Sequence, residues 1–260
     1  MNSKKRIRYL SINSMVNSII LIGLIISVVW LLFVKPTVSS EHFSQIPDSL
    51  HVPYLTAERV DIVEPDRQLA IVLSNSKRSA KLRFDGQVIE GASNRDIPNI
   101  IFFDGKGDEV GGLAFANFEG ENSPITAMRH LAFDGYRQDE VITISHFIQN
   151  GESRKGLYIY DRPEIPIMEA LSESGIKPED TPDVLGDKLT RLREEDPSRH
   201  RELWGNPRRV AVQTNENNEA ELLLGDAEGN IRLRFVVQAD GDAYIEFLDK
   251  NGNSLKRIEP

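Results

Sequence analysis

Between Glu219 and Ile258 the chain alternates apolar and polar residues in short runs broken by turn signals. Ile231, Leu233, Phe235 and Val237 occupy every second position, with Arg232, Arg234, Val236 and Gln238 among them. A period of two places the first set on one face of a strand. Asp240-Gly241 marks the next turn, Ile245 and Phe247 resume the apolar face, and Asn251-Gly252 marks a further turn. The spacing predicts an antiparallel meander. The same texture runs from Arg59 onward, with strands expected at Thr126–Phe133, Val141–Gln149 and Gly156–Tyr160. The fold class this implies is mainly β: antiparallel meanders and hairpins, sandwich- or barrel-like.

Three apolar runs end in Asp-x-x-Gly and then resume, at Asp104 to Gly107, Asp226 to Gly229 and Asp249 to Gly252. Asp suits the first position of a turn because its side chain accepts from the backbone just ahead. Gly three residues on takes the positive φ that rejoins a twisted strand through a bulge. Residues 101–116, IFFDGKGDEVGGLAFA, therefore read as a hairpin. A phosphate-binding loop would need a helix after its glycines, whereas Gly111-Gly112-Leu113-Ala114-Phe115 continues as strand. A calcium loop needs oxygen ligands at alternate positions and a closing Glu, and Asp249-Lys250-Asn251-Gly252-Asn253 supplies only its beginning. The stretch 59–75 also resembles 209–226 in pattern, which suggests an internal duplication.

The period changes between 164 and 206. Thr181 followed by Pro182 is an N-cap with proline at the first helical position, and Val184, Leu185, Lys188, Leu189 and Leu192 follow at helical spacing. Pro197 is expected to stop this helix, and Glu164–Ser174 to form a second, short one. The insert then either joins two β lobes or packs across one of them.

Residues 15–34, MVNSIILIGLIISVVWLLFV, carry no charge and have the length a helix needs to cross a bilayer. Lys4, Lys5, Arg6 and Arg8 precede this segment and Lys35 follows it. The positive-inside rule then puts 1–14 in the cytoplasm and the remainder outside. The expectation is a single-pass membrane protein with a retained transmembrane signal anchor. Cleavage after Val38-Ser39-Ser40 is the alternative, but the apolar run is longer than a signal-peptide core. The expected domains are a cytoplasmic tail at 1–14, the anchor at 15–34, a juxtamembrane linker at 35–57, a β lobe at 58–163, a helical insert at 164–206 and a C-terminal β meander at 207–260.

Charge narrows the partners. Of 31 basic residues, five precede residue 36, leaving 26 against all 40 acids and a formal charge of −14 on residues 36–260. Such a domain repels phosphate backbones, so no nucleic-acid partner is expected. With no cysteine in the chain, disulfides, thiolate metal sites and cysteine nucleophiles are excluded.

The order of motifs, ERVDIVEPD (58–66), IIFFDGKGDEVGGL (100–113), DGYRQDEVI (134–142), YDRP (160–163), LLLGDAEGNIRLRF (222–235) and IEFLDKNGN (245–253), resembles that of a family of uncharacterised bacterial membrane-anchored proteins. The resemblance covers most of residues 57–258. It implies a cell-envelope setting and brings no activity, cofactor or catalytic residue with it.

Chemistry-bearing patterns are sparse. There is no G-x-S-x-G elbow and no H-E-x-x-H helix. His130 and His146 flank an expected hairpin and could face each other across it, but a catalytic zinc site needs a third ligand. No metal and no cofactor is expected. The carboxylate pairs Asp108-Glu109, Asp139-Glu140 and Glu194-Glu195 read as solvated surface. The stretch expected to bind a ligand or partner is Tyr136, Arg137, Asp139 and Glu140, a polar loop carrying an aromatic and leading straight into the strand VITIS. Asp161-Arg162 is expected to be a structural ion pair. The functional expectation is a non-enzymatic binding or scaffolding module with an envelope protein partner. The alternatives are an acid/base hydrolase of envelope glycans or peptides and a calcium-stabilised adhesion-like module.

Overall fold

Almost every connection between strands is a short turn that the local sequence dictates, and the architecture follows from that. The computed structural model describes residues 51–92, 95–120 and 123–260. The expected cytoplasmic tail at 1–14, the expected membrane segment 15–34 and most of the expected linker lie outside the described residues. Twelve strands form one antiparallel sheet in which spatial order follows chain order. They are β1 (Arg59–Val63), β2 (Leu69–Ser74), β5 (Asn99–Phe103), β6 (Glu109–Gly120), β7 (Ser123–Asp134), β8 (Glu140–Gln149), β9 (Glu152–Tyr160), β10 (Arg208–Thr214), β11 (Ala220–Gly225), β12 (Ile231–Val237), β13 (Ala243–Leu248) and β14 (Ser254–Ile258). Two further strands, β3 (Arg83–Phe84) and β4 (Gln87–Val88), make a separate hairpin.

The Asp-x-x-Gly turns close as expected. The Oδ1 atoms of Asp104, Asp226 and Asp249 each accept from backbone amides two and four residues ahead. Gly107, Gly229 and Gly252 take the left-handed conformation, at φ +82°, +85° and +83°. The same closure recurs at Glu64–Gln68, Asn215–Glu219 and Gln238–Asp242. Turns this short cannot carry the chain to a second layer, so each new strand adds to the edge of the last. Among the described residues the sheet therefore neither closes as a barrel nor stacks as a sandwich: β1 pairs only with β2, and β14 only with β13.

Only two connections are long. One, between β2 and β5, carries the β3–β4 hairpin and a 3-10 turn at Glu90–Ala92. The other, between β9 and β10, carries α1 (Ile167–Glu173), α2 (Pro182–Glu195) and α3 (Pro197–Trp204). The insert does not separate two lobes, because β9 and β10 pair directly, Tyr158 opposite Ala211 and Tyr160 opposite Arg208. Thr181 caps α2 with its hydroxyl on the Val184 amide, and Pro182 opens the helix. Pro197 does end α2, and it also begins α3, whose cap is Asp196 accepting from Arg199 N at 2.9 Å.

The two excursions leave from opposite ends of the sheet and meet over one face, where Glu90 N donates to Pro178 O at 2.8 Å. Phe84 and Ile89 from the first pack with Leu171 and Ile176 from the second, joined by Leu185, Leu189 and Trp204. Each fully buried apolar side chain there stabilises the fold by about 2 kcal/mol. This covered face carries Val72, Ile101, Ala132, Thr143, Tyr158 and Ala211 in one cross-strand row, all buried. On the open face Leu73, Ile144, Val212, Phe235 and Ile258 stand in one row, each more than a third exposed. Ile231 is not on the face of Leu233 and Phe235 as strict alternation demands. A bulge at the start of β12 turns it to the covered face, against Tyr158, Ala211 and Leu223.

Candidate functional site

Between the covered face and its roof lies a cavity of about 480 Å³. Its floor is formed by small residues of β6 and β7, Gly112, Ala114 and Ala132, which leave the room that larger side chains would fill. Leu82, Phe84, Ile89, Leu171, Leu185 and Trp204 make the roof and walls apolar. At one end the lining is polar: Arg95, Glu109, His130, Asp134, Asp139 and Glu140.

Two β-bulges assemble that end. In β6 the register slips so that Glu109 stands opposite Phe103 while Gly111 stands opposite Phe102. In β8 it slips so that Glu140 stands opposite Asp134 while Ile142 stands opposite Phe133. Regular alternation back from Gly111 and Ile142 would put both carboxylates on the open face; the bulges re-aim them to the covered one. Gly111 permits the first bulge, at φ +145° with the Ala132 carbonyl only 2.4 Å from where a Cβ would stand.

Three of the four carboxylates have a cationic partner. Glu109 Oε1 accepts from Arg95 Nη2 at 2.8 Å. Asp139 Oδ2 lies 3.0 Å from Arg162 Nη2, and Arg162 Nε donates to the Glu140 carbonyl at 2.8 Å. His130 Nε2 lies 2.7 Å from Glu140 Oε1, and its Nδ1 lies 2.8 Å from Ser145 Oγ. The Glu140 hydrogen bond holds the His130 pKa above its ordinary value, against the desolvation that opposes it. Asp134 is the one left over: no hydrogen bond joins its carboxyl to a described residue. Desolvation, then repulsion from Glu109, Asp139 and Glu140, pushes its pKa up to about 7. Burial likewise raises Glu109 despite Arg95. The pair is incompletely satisfied: Glu109 Oε2 and Arg95 Nη1 are buried without a partner among the described residues, and the Glu109 side chain is only 8% exposed.

The loop singled out from the sequence divides. Asp139 and Glu140 line the cavity. Tyr136 points to solvent, its hydroxyl 3.5 Å from Lys106 Nζ. Arg137 forms an ion pair with Asp85 at the tip of the β3–β4 hairpin, and its carbonyl accepts from Ile167 N at 2.9 Å. Tyr136 and Arg137 thus lie beside the cavity and hold its rim. Asp108-Glu109 is not the solvated pair expected: both are buried, and Asp108 Oδ1 accepts from Gly86 N. His130 and His146 do not face each other. Their registers differ by one residue, so His146 is on the open face near Ser153. Asp161 pairs with Arg209, and Arg162 with Asp139, so those two neighbours do not pair with each other.

Sequence reasoning missed Arg95, Glu109, His130 and Asp134 as a group. A usable signal was present, since a bulge was expected beside Asp104-x-x-Gly107, and a bulge there reverses the face assigned to Glu109. Among the described residues no group of three or more His, Asp or Glu is placed to hold a metal ion. The chain matches no protein-family model and no curated protein.

Ser145, His130 and Glu140 form an array that resembles a hydrolase triad. Ser145 sits in mid-strand, buried, with its strand paired on both sides. No free amides are left there to receive an oxyanion. The array fixes His130, and through it Glu140.

Proposed function

We propose that this chain is a binding module anchored to the bacterial cell membrane through residues 15–34, with its β domain on the outer side of that membrane. The anchor and orientation rest on the charge-free apolar segment, its basic flank and the family resemblance given above. The ligand is a small organic amine with an apolar body. The observation that carries this reading is the cavity itself: apolar along its length and closed at one end by Asp134 and the free oxygen of Glu109. Its volume suits a drug-sized ligand. An ammonium head would supply the hydrogen bonds that the described residues do not offer Asp134, and would add to the positive charge of Arg95, which only partly offsets its burial.

The test is a thermal-shift series on the full chain in lipid nanodiscs with n-octylamine, n-octanol and octanoate. The amine should raise the melting temperature and octanoate should not. Asp134→Asn should abolish the difference between them, and Ala114→Leu, which fills the floor, should abolish binding altogether. Binding that survives both substitutions, or no response to any of the three, defeats the proposal.

The acid/base hydrolase reading keeps one supporting observation: a carboxyl titrating near neutrality inside a cavity is suited to donate and accept a proton. It requires turnover of a glycan or peptide substrate that Asp134→Asn eliminates. The calcium-stabilised reading gains no support from Asp249, whose two oxygens accept hydrogen bonds within their own turn from Asn251 and Asn253.

A further inference from the structure

Two adjacent rows of the open face are apolar almost from edge to edge, and the row beside them carries Arg129, His146, Lys155 and Thr214. One cross-strand row runs from Val60 on β1 through Leu73, Leu131, Ile144, Val212 and Phe235 to Ile258 on β14, and every strand contributes an aliphatic or aromatic residue to it. The next row, two residues along each strand, runs from Ile62 through Phe102, Phe133, Ile159 and Leu224 to Phe247, and departs from apolar only at Gly111 and Lys256. Neither row contains an acid, in a chain with 40 of them. Ile144 and Val212, near the middle, are 48% and 51% exposed. A sheet with one wet face ordinarily reads as polar on that face. Here the polar residues stand in the flanking row, at the turns and beneath the roof instead.

We infer that this face is covered by the same face of a second copy of the chain, the two sheets packing into a sandwich across a two-fold axis. The area is sufficient. At a strand spacing of about 4.8 Å and two rows about 7 Å apart, the strip measures roughly 58 by 14 Å, or about 800 Å² per copy. That is what a stable interface of standard size buries on each side. The chemistry is self-complementary, since aliphatic rows need no opposite charge or donor across the interface, and an isologous contact requires that property. Both copies carry a formal charge of −14 on residues 36–260, so salt that screens their long-range repulsion favours the contact, in which the acid-free strips meet and the acids stay outside. Aligned sheet packing at about 10 Å is the geometry that two such faces adopt.

Full overlap of the two sheets centres the contact on β8 and β9, the sixth and seventh strands in the sheet order. Ile144 on β8 then lies within about one strand spacing of the partner's central strands, whichever in-plane axis relates the copies. The native chain has no cysteine, so a single introduced thiol reports without background. In cells expressing the full-length chain, Ile144→Cys should give a cross-linked homodimer with a short bismaleimide. Glu195→Cys, at the exposed end of α2, should give none. Native mass spectrometry of the full chain in nanodiscs should show two copies, and Ile144→Asp with Val212→Asp should convert it to one copy with an unchanged circular dichroism spectrum. A monomer for the unsubstituted chain, or Ile144→Cys captured only by lipid or by an unrelated protein, overturns the inference. If the charged variant fails to fold, the near-isosteric cysteine variant still decides the matter.

Discussion

Asp134 shows what one unpaired carboxyl does to a fold. Its pKa stands at about 7 in the folded chain against 3.8 for the free side chain. Between those values the folded state holds a proton that the unfolded state has released. Stability is therefore greatest on the acid side and is lost as pH rises through about 7. Glu109 and His130, also shifted upward, act in the same direction. Asp180, Glu216, Asp226 and Asp249 are shifted downward and act oppositely, but they finish titrating below about pH 5; His200, lowered by burial, opposes the fall within the window, set against Asp134, Glu109 and His130 together. The melting temperature of the ligand-free chain should thus fall from pH 5 to pH 8. Asp134→Asn should flatten that slope, gaining roughly 1–3 kcal/mol more at pH 8 than at pH 5. Parallel melting profiles for the two proteins would show that Asp134 is ordinary. At this scale the sequence was partly legible. Asp139 and Glu140 stood out because a charged loop before a strand is conspicuous. Glu109 and Asp134 did not, because period-two reading assigns faces by counting, and each lies beside a bulge that alters the count.

Among the elements, the β3–β4 hairpin is the least self-sufficient. Each of its strands has two residues, and a lone two-stranded hairpin is marginal in water. Its tip is held by Arg137 on Asp85 and by Asp108 accepting from Gly86 N. Arg137→Ala should cost little overall, as expected for a half-exposed pair. It should also speed amide exchange across Arg83–Val88 well before it affects β7 or β8. Uniform acceleration over the whole sheet would mean that the hairpin and sheet open together, contrary to the graded stability argued here. This hairpin was invisible in the sequence because its strands are too short for periodicity. By contrast α2 carried both cap and period, and was readable. Helix α3 was not: Pro197 was read as a stop, although proline at the first helical position also serves as a start.

At the scale of the molecule, the strands were legible and their assembly was not. Alternation reports that a strand has two unlike faces, but it does not say what covers the apolar one. The helical insert was expected to join two β lobes or to pack across one of them, and the pairing of Tyr158 with Ala211 runs straight past it. What emerges is a single sheet with a cavity under its roof on one side and a bare apolar strip on the other. If the chain is anchored as proposed, both features belong outside the cytoplasmic membrane, and the orientation can be read directly. Ser3 precedes the apolar segment and Ser254 opens the last strand, where it is exposed. In cells with an intact cytoplasmic membrane, a membrane-impermeant maleimide should label Ser254→Cys and leave Ser3→Cys untouched until the membrane is permeabilised. The reverse pattern would place the cavity in the cytoplasm, where an envelope ligand could not reach it. Labelling of Ser254→Cys on a chain released into the medium would instead mean that the segment is cleaved, and a homodimer would then have to form free of the membrane.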